Sequence, residues 1–391
     1  MSEMVPEGWL NLSVAEVFEI GRGRVISKDE IRDNTGNYPV YSSQSFNNGE
    51  MGRINSFDFE GEYVTWTTDG AYAGTVFYRN GKFSCTNVCG TLRDSGKYGV
   101  DMKFVAEYLS TVAKQHVSYV GNPKLMNGIF GEINLLIPPL PEQKKIASIL
   151  TSVDEVIEKT QSQIDKLQDL KKGTMNELLT KGIGHTESKD SELGRIPKSW
   201  FFKRLDSVVT EFIVPMRDKP KVFSGTIPWI RIEDFVGKYL YSSKSNQCVD
   251  ESIINKMRLK VYPEGTVLCS CSARLGVCTI TARKMVSNQT FIGLVPGEGI
   301  DKEYLYYMME SHANNLQKLS SGTTIDYLPR EKFEEFSILV PPMVEQMKIV
   351  SILSSMDTSI KKKEYKLSQI QSLKKSLMQD LLTGKVRVTV N

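Results

Sequence analysis

PPLPEQKKIASILTSVD, Pro138–Asp154, returns 203 positions later as PPMVEQMKIVSILSSMD, Pro341–Asp357. Nearly half of positions 138–180 recur at 341–383, among them Pro138, Pro139, Glu142, Gln143, Ile146, Ile149, Leu150, Asp154, Lys171, Lys172, Leu178, Leu179 and Thr180. Proline is tolerated in the first turn of a helix, and a glutamate there complements the helix dipole. Apolar residues then follow at spacings of four and three: Ile146, Leu150, Val153, Ile157, Ile164, Leu167 and Leu178, and in the second copy Ile349, Leu353, Met356, Ile360, Leu367, Ile370, Leu377 and Leu381. That spacing predicts a heptad-type seam on a long helix. Thr160, Lys363, Lys171 and Lys374 interrupt it, and long lysine stems are expected to snorkel outward there. Gly182, Gly184 and Gly384 punctuate the C-terminal ends. About 39 residues at 1.5 Å each give roughly 58 Å of helix. One apolar stripe of that length needs a partner, and the other copy supplies it. An antiparallel pair with a pseudo-twofold relation is expected, holding two variable domains apart near opposite ends.

Landmarks outside the helices repeat as well. Pro6, Trp9 and Val17 match Pro197, Trp200 and Val208. Asp101 and Asp301 each read as the N-cap of an amphipathic helix. Between these landmarks the halves diverge. YVTWT from Tyr63, GTVFYR from Gly74 and KFSCTNV from Lys82 read as strands, as do GTVLCSCS from Gly265, GVCTIT from Gly276 and TFIGLV from Thr290. The fold class is α+β, and the expected domains are 1–137, a helix over 138–184, a second domain over 185–340, and a C-terminal helix over 341–391.

The 391 residues suit two or three domains. No apolar run is long enough for a membrane span, and the first residues carry no basic and apolar leader pattern, so a cytoplasmic protein is expected. Net charge is +3, but residues 1–137 hold 12 basic and 16 acidic groups whereas residues 341–391 hold 9 and 4. Cys85, Cys89, Cys248, Cys269, Cys271 and Cys278 are expected as reduced, buried thiols. With only His116, His185 and His312 in the chain, no zinc-ligand spacing emerges. Motifs of phosphate cradles, zinc hydrolases and amino-methyltransferases are missing: Pro138–Pro139 lacks the preceding Asn or Asp and the following aromatic of the last. EIGRGRV at Glu19 has Gly21 and Gly23 but no third glycine and no βαβ setting.

Polar residues that suit base edges and phosphates gather where loops are expected: Ser42, Ser43, Gln44, Thr67, Thr68, Asp69, Tyr72, Asn87 and Lys124 in the first half, and Arg231, Ser270, Ser272, Arg274, Asn288, Gln289, Thr323 and Thr324 in the second. Taken singly each fits an ordinary turn; the doubled architecture is what points to DNA.

Two divergent domains, each followed by a proline-opened helix with an E-Q pair and a Leu-Leu-Thr ending, resemble the specificity subunit of type I restriction–modification systems. The resemblance covers the whole chain. It implies two target-recognition domains on an antiparallel helix pair, and a non-enzymatic reader of double-stranded DNA with a bipartite site. It further implies that the helices set the spacing and dock two methyltransferase subunits, with two restriction or motor subunits completing the complex. S-adenosylmethionine, ATP and magnesium would be bound by those partners and no cofactor by this chain. A type IIB-like recognition subunit would carry the same helix pair. A two-domain protein-binding scaffold is the alternative from another class, and the weak salt dependence of an apolar interface would distinguish it.

Overall fold

Both repeated segments are helical: Leu140–Lys181 and Met343–Leu382. The computed structural model describes residues 5–44, 46–192, 194–215, 219–272, 275–319 and 328–390. The chain divides into two compact units. One comprises the described residues up to Ser162 together with those from Glu364 onward; the other runs from Gln163 to Lys363. Each unit therefore holds one variable domain, the beginning of the long helix that follows it, and the end of the other long helix.

In the first unit Glu142 meets Arg387 and Asp154 meets Lys374, so the first helix falls in number as the second segment rises, which makes the pairing antiparallel. The second unit repeats this, with Lys171 on Asp357 and Gln163 on Lys363. Ile146, Leu150, Ile349 and Leu353 on the seam are completely buried, each contributing about 1.5–3 kcal/mol on an area basis. Lys171 and Lys374 do not snorkel. Lys374 Nζ lies 2.7 Å from Asp154 Oδ2 and 3.4 Å from Glu107; Lys171 Nζ lies 2.8 Å from Asp357 Oδ1 and 3.4 Å from Glu310. The carboxylates from the domain helices were not foreseeable on the seam, and they turn each lysine inward. Burial opposes the Lys171 charge, but Glu310 and Asp357 hold its ammonium above the ordinary lysine range.

The E-Q pair ties each helix to its domain. Gln143 Oε1 accepts from Asp101 N–H at 2.8 Å, and Nε2 donates to Pro138 O at 2.8 Å and Gly99 O at 3.4 Å. Gln346 does the same with Asp301, Pro341 and Gly299. The two aspartates cap their helices as expected, Asp101 accepting from Phe104 N and Asp301 from Glu303 N and Tyr304 N. Glu142 accepts from the Trp9 indole and from Arg387. Glu345 accepts from the Trp200 indole, Ile183 N and His185. The matched tryptophans are thus anchors for the matched glutamates.

The first unit is built on a six-stranded sheet in the order Phe18–Arg22, Cys89–Asp94, Phe59–Thr67, Val76–Cys85, Thr35–Tyr41, Glu50–Ile54. It is antiparallel except between Thr35–Tyr41 and Val76–Cys85. The second unit carries a five-stranded sheet, Val209–Ile213, Phe291–Pro296, Val267–Ser270, Cys278–Thr281, Tyr239–Leu240, and a four-stranded one around Ile227–Ile230 and Met285–Ser287. Helices Met102–Val112 and Lys302–Ser311 pack on the main sheets. Cys85, Cys89, Cys269, Cys271 and Cys278 are buried, and Cys248 is half-buried.

Candidate nucleic-acid interface

Backbone hydrogen bonds show that the polar clusters of the two halves occupy the same place in the fold. In the first unit Thr67 N bonds Thr75 O, Thr68 N bonds Val88 O, and Leu125 N bonds Thr68 O. In the second, Ser270 N bonds Val277 O, Cys271 N bonds Thr290 O, and Leu328 N bonds Cys271 O. Thr67 therefore corresponds to Ser270, Asp69 to Ser272, and Asn87 to Gln289. These lie at one rim of the main sheet, where strands end and loops begin, which is where polar groups can face a ligand without disturbing the ladder.

At the first rim, Thr68, Asp69, Asn87 and Lys124 come together around a residue that was not anticipated, Arg22. Its Nε donates to Asn87 O, and Nη2 lies 3.4 Å from Thr68 Oγ1 and 3.6 Å from Asp69 Oδ2. Lys124 Nζ stands 4.0 Å from the other Asp69 oxygen. Thr67 and Thr68 are buried, and Thr67 Oγ1 has no hydrogen-bond partner. Tyr72 is about half exposed in the next loop. Ser42, Ser43 and Gln44 follow the strand Thr35–Tyr41, whose end bonds Thr86 N, so their loop borders the same rim. The Gln44 amide donates to Glu50 O. Beneath that loop Arg79 is buried, 3.5 Å over the Tyr41 ring, with Nε on Thr65 Oγ1 and Nη1 unpaired.

The EIGRGRV stretch explains Arg22. A Cβ on Gly21 would come within 2.6 Å of Thr91 Oγ1, and one on Gly23 within 2.1 Å of Cys85 O. Both glycines serve close approach of strand to strand, and the squeeze delivers the arginine between them to the rim. The cue in the sequence was an arginine flanked by two glycines at a strand end.

At the second rim, the buried Ser270 hydroxyl donates to Ser272 O, and Cys271 Sγ contacts Gln289 O at 3.5 Å. Burial pushes the Cys271 thiol up to about 11. Asn288 Oδ1 accepts from the Thr290 hydroxyl. Ile230 pairs with Ser287, which brings Arg231 alongside Asn288; its guanidinium is held by Gln247 and lies 3.7 Å from Glu233. Arg274, Thr323 and Thr324 lie outside the described residues. Among the described residues no group of His, Cys, Asp and Glu is arranged to hold a metal ion. What both rims offer is hydrogen-bonding side chains of mixed donor and acceptor character on a rigid support, which is the chemistry of base-edge and phosphate contacts.

A family model described as the type I restriction modification DNA specificity domain matches residues 6–169 and 197–372. A type I specificity subunit of Mycoplasma pneumoniae is 32% identical over 341 residues, covering 87% of each chain. The specificity subunit of the type I restriction enzyme MjaVIII of Methanocaldococcus jannaschii is 27% identical over 412 residues, covering 98% of this chain and 94% of its own. The crystal structure of a type I restriction–modification S subunit from M. genitalium superposes with a TM-score of 0.62 at 16% identity, covering 100% of this chain and 99% of that one, a likeness of fold.

Proposed function

The chain belongs to the family of type I restriction–modification specificity subunits, and from that premise we propose how it reads DNA. Its function is DNA sequence recognition within a restriction–modification complex; catalysis belongs to other subunits. Each sheet rim reads one half of a bipartite site in double-stranded DNA, and the paired helices set the gap between the halves. The observation that carries this reading is the recurrence of one polar rim at equivalent positions in two otherwise divergent domains: Thr67, Asp69 and Asn87 in one, Ser270, Ser272 and Gln289 in the other. Shared backbone with rim chemistry that differs at chosen positions, Asp69 against Ser272 and Thr68 against Cys271, is what two readers of different sequences require, since base contacts specify while the scaffold only positions.

The helices are also the seat for two methyltransferase subunits, which would bring S-adenosylmethionine, while two motor subunits would bring ATP and magnesium. No helix among the described residues is long and apolar enough to cross a membrane, and the working compartment is the cytoplasm, where the DNA lies. The test is to express the complete complex and map methylated bases across a genome. Replacing residues 195–340 with the matching domain of a relative changes one half-site and leaves the other; a change in both halves, or methyl transfer by this chain alone, overturns the reading. The same mapping applied to variants with a lengthened first helix reads out the gap.

A further inference from the structure

We infer that Arg22 is a specificity-determining residue that reads a guanine in the half-site of the first domain, and that Asp69, Thr68 and Asn87 are the residues that position it. The inference rests on the DNA-reading function proposed above. Arginine is the common reader of guanine because its planar fork matches the O6 and N7 acceptors of that base. A free arginine side chain would lose rotamer freedom on docking. Here that freedom is already largely removed. One edge of the guanidinium, Nε and Nη2, is used by the protein: Nε on Asn87 O and Nη2 toward Thr68 Oγ1 and Asp69 Oδ2. The end of the fork is left, because Nη1 makes no hydrogen bond among the described residues and the side chain is 37% exposed. Two N–H groups at that end can meet the two acceptors of a guanine.

The backbone beneath is equally constrained. Gly23 N bonds Cys89 O and Arg24 N bonds Cys85 O, with no room for a Cβ at position 23. Asp69 is fixed by its backbone bridge to Lys124, and Gly70 N bonds Pro123 O. Lys124, 4.0 Å from Asp69, supplies a mobile point charge suited to the neighbouring phosphate. Among the described residues the pairing register places no arginine at the equivalent position of the second unit: Ile20 pairs with Leu92 as Phe212 pairs with Leu294, so Val214 stands where Arg22 does. Arg22 acts on one half-site only.

The test uses the full-length chain in its complete complex and a random-sequence duplex library, with bound DNA sequenced for wild type, Arg22→Ala, Arg22→Lys and Asp69→Asn. Wild type selects a bipartite motif. Arg22→Ala and Arg22→Lys lose preference for one guanine in one half-site by roughly tenfold to hundredfold, with every other position retained; Asp69→Asn weakens the same position. The lysine variant keeps the charge, so a loss of overall affinity in Arg22→Ala that Arg22→Lys restores, with the motif intact in both, would mean a phosphate contact and would overturn the assignment. An unchanged motif with Arg22→Ala, or a change in both half-sites, would do the same. Thermal melts run in parallel separate misfolding from misreading, since a misfolded first domain loses its whole half-site rather than one base. A wild-type complex that selects no motif would instead sink the function on which the inference rests.

Discussion

Gln143→Ala probes the link between each domain and its helix. The side chain is 1% exposed and makes two hydrogen bonds of 2.8 Å, from Asp101 N–H and to Pro138 O, and a longer one to Gly99 O. Truncation leaves the part-buried Asp101 N–H and the buried Pro138 carbonyl without partners. A buried orphan costs about 1–3 kcal/mol, and the part-buried N–H lies at the low end near 1, so the sum is roughly 2–4 kcal/mol. At about 2–4 °C per kcal/mol for a domain of 150–250 residues, a midpoint near 3 kcal/mol lowers the melting temperature of the first unit by about 6–12 °C. Gln143→Glu keeps the acceptor for Asp101 but points an anionic oxygen at two carbonyls, and at neutral pH it should destabilise at least as much. Gln346→Ala is the twin, since Gln346 is completely buried with the same three partners, and it should lower the transition of the second unit. The assay is differential scanning calorimetry of the full-length chain. A change below about 0.5 kcal/mol for Gln143→Ala, the range of ordinary surface substitutions, would show that the hub is incidental and that seam packing alone holds the domain to the helix.

Lys374→Met leaves Glu107 and Asp154 facing each other without their cation; burial already raises the Glu107 carboxyl above its usual range, with Lys374 opposing. These groups are partly exposed, so about 1–2 kcal/mol is expected rather than the 3–5 of a fully buried broken pair, read as a lower urea midpoint. Burial would raise the Glu345 carboxyl, but Ile183 N–H, Trp200 and His185 hold it below the usual range. Its folded-state value is depressed, so its contribution is present above the unfolded value of about 4.3 and is lost as pH falls. Glu345→Gln should flatten that part of the acid unfolding curve, and an unchanged curve would refute the assignment. Gly23→Ala forces a methyl against Cys85 O and should cost about 1–3 kcal/mol, with the binding defect confined to the half-site of the first domain.

The repeat at an offset of 203 positions made the long helices, their caps and the doubled plan legible, because helix periodicity and capping are local signals. The rim was legible as a region: loop composition led to Asp69, Asn87 and Lys124 without showing that they surround Arg22. That arginine was obscured because its flanking glycines matter only once Cys85 and Thr91 on other strands are in place. Lys171 and Lys374 were misread for the same reason. On the seam they look like interruptions, and only the carboxylates of Glu310 and Glu107, from elements far away in sequence, turn them into ion pairs. Thr68 and Ser270, chosen as polar loop residues, proved to be buried where strand ends meet the next layer.

The division of the chain into units also dictates an order of assembly on the ribosome. The second unit is one continuous stretch, Gln163 to Lys363, and can close as soon as it has emerged. The first unit cannot: Leu381 and Leu382 belong to its core, and Glu142 waits for Arg387. At roughly 5–20 residues per second, some 230 residues of further synthesis take about 10–45 s, during which Ile146 and Leu150 lack the helix that covers them. The domain made first is therefore finished last, and a nascent chain that stalls near its end, or loses its final segment to a protease, carries its damage in the N-terminal half.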